Sequence, residues 1–271
     1  MVQTYAAFTT FHKSGYETYG QKNIDSFLRH WPKSINYHVY AEGFKLEPKP
    51  RLFVYDLVPT IPDLQVFKNR HKNNPKAHGK MKTGSMSDPS SFLFDFVRFS
   101  HKSFVMFHAI YNLTTDWVIW LDGDSFTHTS LDLKFLNSIC PTKALVSFLG
   151  RDDMYTETGF IAFNRRHPKI KEYVRLAKQI YETDLVFKDQ YFKDGYTDCH
   201  VFDYAIRRLT RDGVTVNNLT KGIPGKHPFI NGPLGAYMDH LKGPRKNRGA
   251  SSKSDIKVKT MLNHPYWKSK K

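Results

Sequence analysis

The chain's 271 residues, 40% of them hydrophobic and 21 of them Phe, can build one α/β domain with additions or two small domains around a sizeable core. Two cysteines, Cys140 and Cys199, exclude a disulfide framework. No stretch nears the roughly 18 apolar residues of a membrane span, and the first residues lack the basic and apolar regions of a secretion signal, so a reducing, cytoplasmic setting is expected. The net charge of +16, from 41 Lys+Arg against 25 Asp+Glu, argues for a polyanionic partner (nucleic acid, an anionic membrane face or a charged envelope polymer), the plain alternative being a basic but functionally silent surface.

In chain order, residues 3–11 read as a strand and 13–20 as a loop at the sheet edge. Residues 23–31, apolar at Ile24, Phe27, Leu28 and Trp31, read as an amphipathic helix closed by Pro32. Residues 35–41 and 52–57 follow as strands, an alternation that predicts a doubly wound α/β layout. Neither Gly-x-Gly-x-x-Gly nor a Walker-type lysine loop is present, which counts against a nucleoside triphosphatase. Residues 68–82 hold six Lys/Arg and two His with no acid, and predict an exposed basic loop inserted into the domain. It would serve either to track phosphates or merely as a solvated insertion.

Residues 91–112 predict a long, largely buried helix. On it Asp95, Arg98 and Lys102 share one stripe. Cations on a buried helix need an anionic partner, either phosphate and the acids at Asp122, or Asp95 in a structural ion pair. Next, Trp117-Val-Ile-Trp-Leu121 is an uninterrupted apolar run ending in Asp122-Gly123-Asp124. Such a run fits a strand buried on both faces, and it lifts two carboxylates to the sheet's carboxyl edge, where open α/β sheets bind ligands. Paired carboxylates there want a hard cation, Mg²⁺ or Mn²⁺, which brings phosphate with it. The plain alternative is an Asp-Gly turn with Asp124 as a cap.

A helix over 131–139 and a strand over 143–150 follow. Residues 155–164, polar and then apolar around Gly159, suggest a backbone that a ligand approaches closely. Residues 168–185 carry a helical period, and Asp198 either caps the helix over 201–209 or serves as a catalytic carboxylate. Cys199-His200, lacking a second ligand pair, is no metal site. Asn112-Leu-Thr114 and Asn218-Leu-Thr220 match the glycosylation sequon and read as coincidence. From Lys242 onward ten Lys/Arg face one acid, Asp255, in a Gly/Ser-rich tail that reads as loop, with Trp267 placed to dock it on the body.

At His240-Leu-Lys-Gly243-Pro-Arg-Lys246 the pattern His-x-x-Gly-x-x-Lys resembles the C-terminal signature of the glycogenin and bacterial lipo-oligosaccharide galactosyltransferase family. Further marks stand in the same order: Arg98 to Lys102 on the helix before the metal strand, Asp122-Gly123-Asp124 as the DxD, Glu157-Thr-Gly159 as the Asn-x-Gly strand, and Asp198 as the acid beside the reacting carbons. The resemblance implies a GT-A fold, α/β and Rossmann-like, with a mostly parallel sheet and helices on both faces. It implies a single catalytic domain over 1–241, with the basic tail 242–271 closing over the donor site. It also implies Mn²⁺ or Mg²⁺ on Asp122, Asp124 and His240, and a nucleotide-sugar donor, by family habit a UDP-sugar, contacted by Arg98, Lys102, Gly243 and Lys246. Asp198 and Glu157 would bind donor sugar or acceptor. The chain departs from the family at Glu157 (Asn there), Cys199 (Gln there) and Asn247-Arg248 (Pro-Trp there), positions that bear on sugar and acceptor contacts and on stereochemistry.

For the acceptor, the charge favours DNA carrying a hydroxymethylated base, as some phage-encoded transferases use, acting in the cytoplasm of a bacterial host. The alternatives are an envelope glycan or lipid, with the tail on an anionic membrane face, and a non-enzymatic basic nucleic-acid-binding module.

Overall fold

The computed structural model describes residues 2–79, 91–225, 227–243 and 245–270. Seven strands form the central sheet: β1 (Tyr5–His12), β2 (Asn36–Glu42), β3 (Leu52–Asp56), β4 (Trp117–Leu121), then, after a separate short strand β5 (Ser125–Thr127), β6 (Val146–Leu149), β7 (Glu157–Asn164) and β8 (Asn217–Asn218). Their order is β3-β2-β1-β4-β7-β6-β8. Only β7 runs against its neighbours; β1, β2, β3 and β4 are mutually parallel, as are β6 and β8. This is the mostly parallel α/β architecture expected of a GT-A fold. β5 pairs antiparallel with β9 (Met238–His240) in a separate ribbon, with Ser125 opposite His240.

The apolar run at 117–121 is buried on both faces because both faces are covered. Val118 and Trp120, with Ala6 and Phe8 of β1, point to one core. That core is closed by the helices α2 (Pro62–His71), α3 (Phe96–Asn112), α5 (Ile170–Glu182) and α6 (Asp198–Arg211). Trp117, Ile119 and Leu121 point to the other, against α1 (Gln21–His30) and α4 (Leu133–Ile139). The alternation of side chains along each strand sorts residues between the two layers.

Two expectations are corrected. Residues 13–20 are helical rather than loop: His12 Nδ1 accepts the Gly15 N–H at 3.0 Å, and Tyr16–Gly20 winds as a π-helix straight into α1. The basic stretch 68–82 is not an exposed loop throughout. Residues 68–71 are the last turn of α2, since Leu64, Phe67 and His71 give that helix a buried side. His71 packs inward with Nε2 at 2.9 Å from Asp184 Oδ1, and residues 80–82 lie outside the described residues. The tail after residue 241 packs on the body: Ile256 and Trp267 belong to the same core as Phe229 and Met238.

Trp267 does dock the tail: it is fully buried and its Nε1 donates to Gly235 O at 2.7 Å. Truncation of a buried indole costs about 3–5 kcal/mol, so Trp267→Ala is expected to lower unfolding stability in urea by that amount. Among the described residues no helix is long and apolar enough to cross a membrane.

Candidate active site

Every parallel strand from β1 to β4 ends at the same edge, and β4 delivers the Asp-Gly-Asp there. The turn is fixed by its backbone: the Asp122 N–H bonds Gly159 O at 2.9 Å, and Asp122 O accepts the Ser125 N–H at 2.9 Å. Gly123 is needed because a Cβ would fall 2.6 Å from the Phe11 ring. The β5–β9 ribbon then brings His240 beside the acids, and the Leu241 N–H closes on Asp124 O at 2.8 Å.

His240 Nε2 lies 3.1 Å from Asp124 Oδ1 and 3.6 Å from Asp122 Oδ2. One ligand atom from each of the three lies within 4.8 Å of the others. Two hard carboxylates with one imidazole suit Mn²⁺ or Mg²⁺, and the three converge on one point from a strand end and a ribbon, so the donor set fits such an ion. Cations otherwise balance these acids. Lys246 Nζ sits 3.0 Å from Asp124 Oδ2, and Lys102 Nζ 2.7 Å from Asp122 Oδ1. Trp120 Nε1 donates to the same Asp122 oxygen at 2.8 Å.

Burial raises the Asp122 carboxyl, Lys102 lowers it, and the neighbouring Asp124 helps raise it; the net direction is upward. Burial also opposes ionisation of Asp124, but His240 and Lys246 outweigh it and hold that carboxyl far below the carboxylate range. Burial would strip Lys102 of its proton, yet Asp122 and Asp198 keep it charged.

Lys102 is the hinge between the metal-type acids and Asp198. Its Nζ contacts Asp198 Oδ2 at 2.8 Å and Thr158 O at 2.7 Å. Asp198, expected as a possible cap for α6, is instead the first residue of that helix; Thr197 is the N-cap, and the carboxylate turns into the site, where Thr158 Oγ1 also donates to it. Arg98 takes no comparable place. It is exposed, and its ion-pair reading with Asp95 reduces to a backbone contact: the Arg98 N–H donates to Asp95 Oδ1 at 3.0 Å, capping α3. Arg98 lies near the rim residue Tyr19, whose hydroxyl burial pushes up while Lys246 and Arg98 pull it down.

Gly243 adopts φ +63°, a conformation that favours glycine, and a Cβ there would meet open space. Its role is the turn that swings Lys246 onto Asp124. Gly159, expected to admit a ligand, instead admits His240: a Cβ would fall 2.9 Å from His240 Cε1 and 3.1 Å from Phe229 Cδ2. Glu157 lies behind His240, only 3% exposed, between Lys242 Nζ at 2.7 Å and Arg151 at 3.1 Å. Burial opposes its charge, but Lys242, His240 and Arg151 bring its pKa down to about 2.

Sequence reasoning missed Thr158, Arg151, Lys242, His227 and Tyr19. Lys242 and Thr158 were within reach, being unconstrained positions inside His-x-x-Gly-x-x-Lys and Glu157-Thr-Gly159; the others become neighbours only in the folded chain.

Cys199 Sγ is 3.2 Å from Thr158 Oγ1, and burial, then Asp198, pushes its thiol up to about 12. A thiol that stays neutral is a poor nucleophile. Iodoacetamide at pH 8 is therefore expected to leave Cys199 largely unmodified while it labels the same cysteine after denaturation; rapid native labelling would contradict this.

No family model matches the chain, and no curated protein sequence does. Among solved structures, it resembles apo mouse xyloside xylosyltransferase 1 with 14% identity and a TM-score of 0.48, over 80% of this chain and 86% of that one. It resembles the bifunctional glycosyltransferase WbbM with 12% identity and a TM-score of 0.46, over 99% of this chain and 51% of that one. The third likeness is to apo GlyE of Streptococcus pneumoniae TIGR4, with 12% identity and a TM-score of 0.40, over 80% of this chain and 46% of that one. The chain thus spans about half the length of WbbM and GlyE. At these identities and TM-scores the likeness does not extend to substrates or residue roles.

Proposed function

We propose that the protein is a metal-dependent glycosyltransferase that moves a sugar from a nucleotide-sugar, by the sequence resemblance a UDP-sugar, to an acceptor hydroxyl. The observation that carries this reading is the convergence of Asp122, Asp124 and His240 at one sheet edge with Lys102 and Lys246 bonded to the same acids. A turn with no ligand has no use for three metal-type donors and two partly buried lysines.

When bound, Mn²⁺ or Mg²⁺ supplies Lewis-acid stabilisation of the leaving nucleoside diphosphate. Asp122, Asp124 and His240 would hold it. Lys246 is placed to exchange its bond to Asp124 for the diphosphate and to offset the charge that grows on it. Lys102 fixes Asp198 where the transferred sugar would sit, and Thr158 completes that carboxylate's hydrogen bonding. Arg98 lines the rim and contributes long-range attraction for phosphate.

For the acceptor we favour DNA bearing a hydroxymethylated base, on the strength of the +16 charge. The test incubates the protein with a nucleotide-sugar panel, Mn²⁺ and hydroxymethylcytosine-containing DNA, with unmodified DNA as control. Transfer is expected as a mass gain on the modified base alone. Nucleotide release that ignores DNA would overturn the DNA acceptor and favour an envelope glycan or lipid.

A further inference from the structure

We propose that Glu157 is a positioning residue for His240, orienting the imidazole so that Nε2 presents its lone pair to the metal; this rests on the metal reading of Asp122, Asp124 and His240 given above. An imidazole that ligates through Nε2 carries its proton on Nδ1, and the partner of that N–H fixes tautomer and ring angle. His240 Nδ1 is buried and has no hydrogen-bond partner at ordinary distance. The carboxylate that faces it is Glu157, with Oε1 at 3.8 Å. Small closure of the ring on this oxygen makes the bond, and the oxygen is free to accept, since Lys242 and Arg151 both bind Oε2.

The rest of the pocket holds the ring in that plane. Gly159 leaves room beneath Cε1, Phe229 packs at 5.0 Å between ring centroids, and His227 at 5.6 Å. His227 Nε2 is 3.2 Å from His240 O, which ties its ring to the same strand. This arrangement gives a physical role to Glu157, where the resembled family carries Asn: its side chain stands behind His240.

Glu157, His227 and His240 also bring three ligand atoms within 4.8 Å of one another. A second ion among them is disfavoured, because Lys242 and Arg151 already neutralise Glu157 and would stand against a further divalent charge.

The test titrates Mn²⁺ into the full chain in the presence of UDP, reading free Mn²⁺ by electron paramagnetic resonance and the bound imidazole by its nitrogen coupling in pulsed spectra. Wild type is expected to bind one Mn²⁺ with imidazole coupling. Glu157→Ala is expected to weaken Mn²⁺ binding about 10–100-fold and to reduce the coupling. Glu157→Asp keeps the charge but shortens the reach, and is expected to behave like the alanine variant. Glu157→Gln can turn its amide oxygen to Nδ1 only by setting its amide N–H groups against Lys242 and Arg151, and is expected to fall between wild type and alanine. Thermal unfolding of each variant checks that it is folded. Equal Mn²⁺ affinity and coupling in wild type and Glu157→Ala would overturn the proposal. Two Mn²⁺ per chain would overturn it in favour of a second metal site. Asp124→Ala separates the two levels. If it loses Mn²⁺ while Glu157→Ala does not, only the positioning role fails; if wild type itself binds none, the metal reading fails first.

Discussion

Replacement of Lys102 by methionine is expected to destabilise the protein by about 3–5 kcal/mol, the usual cost of breaking a buried ion pair from one side. The lysine stands between Asp122 and Asp198 at 2.7 and 2.8 Å and is nearly buried, so its loss leaves two carboxylates facing each other with little solvent to separate them. The neutral isostere fills the space but supplies no charge. Urea unfolding of Lys102→Met checks the size of the loss. The double variant Lys102→Met/Asp198→Asn is expected to recover much of it, because one of the two stranded charges is gone. A loss below roughly 1 kcal/mol, the range of surface pairs, would mean that water reaches the site freely.

Asp124→Ala carries the second large effect, and it falls on activity instead of stability. Transfer is expected to drop by at least about 10²–10³-fold, as when a preorganised electrostatic group is removed. The fold should persist, because the ribbon is held through backbone bonds: Leu241 N–H to Asp124 O survives the substitution. Circular dichroism and a near-normal melting temperature alongside lost turnover would satisfy this expectation. Near-normal turnover in the folded variant would sink the assignment of Asp124.

The two arms of the site differed in how far the sequence disclosed them. The strand that ends in Asp122-Gly123-Asp124 was legible because burial on both faces leaves an unbroken apolar run, and because charge placed at the end of such a run has few structural uses. The contact between Lys102 and the acids was half legible. Helical spacing put Asp95, Arg98 and Lys102 on one stripe, but only the packing of α3 on β4 selects Lys102 and leaves Arg98 at the rim.

The ribbon of β5 and β9 was not legible. Its strands are three residues each and 110 residues apart, too short for a period and too distant for a hairpin signal. The side of Glu157 that faces His240 depends on that ribbon and was hidden with it. The helical turn from Lys13 to Gly20 was obscured by its Gly and Ser content, which reads as loop until His12 is seen to cap it. In residues 68–71 charge masked a buried side of α2 made by Leu64, Phe67 and His71.

The measurement that bears most directly on the account is nucleoside diphosphate release from a nucleotide-sugar panel, with and without Mn²⁺, for wild type and His240→Ala. Release is expected from at least one donor; it should require the metal, disappear with chelator and be absent in His240→Ala. No release from any donor, together with no change in melting temperature on adding UDP and Mn²⁺, would contradict it and return Asp122-Gly123-Asp124 to the status of a turn.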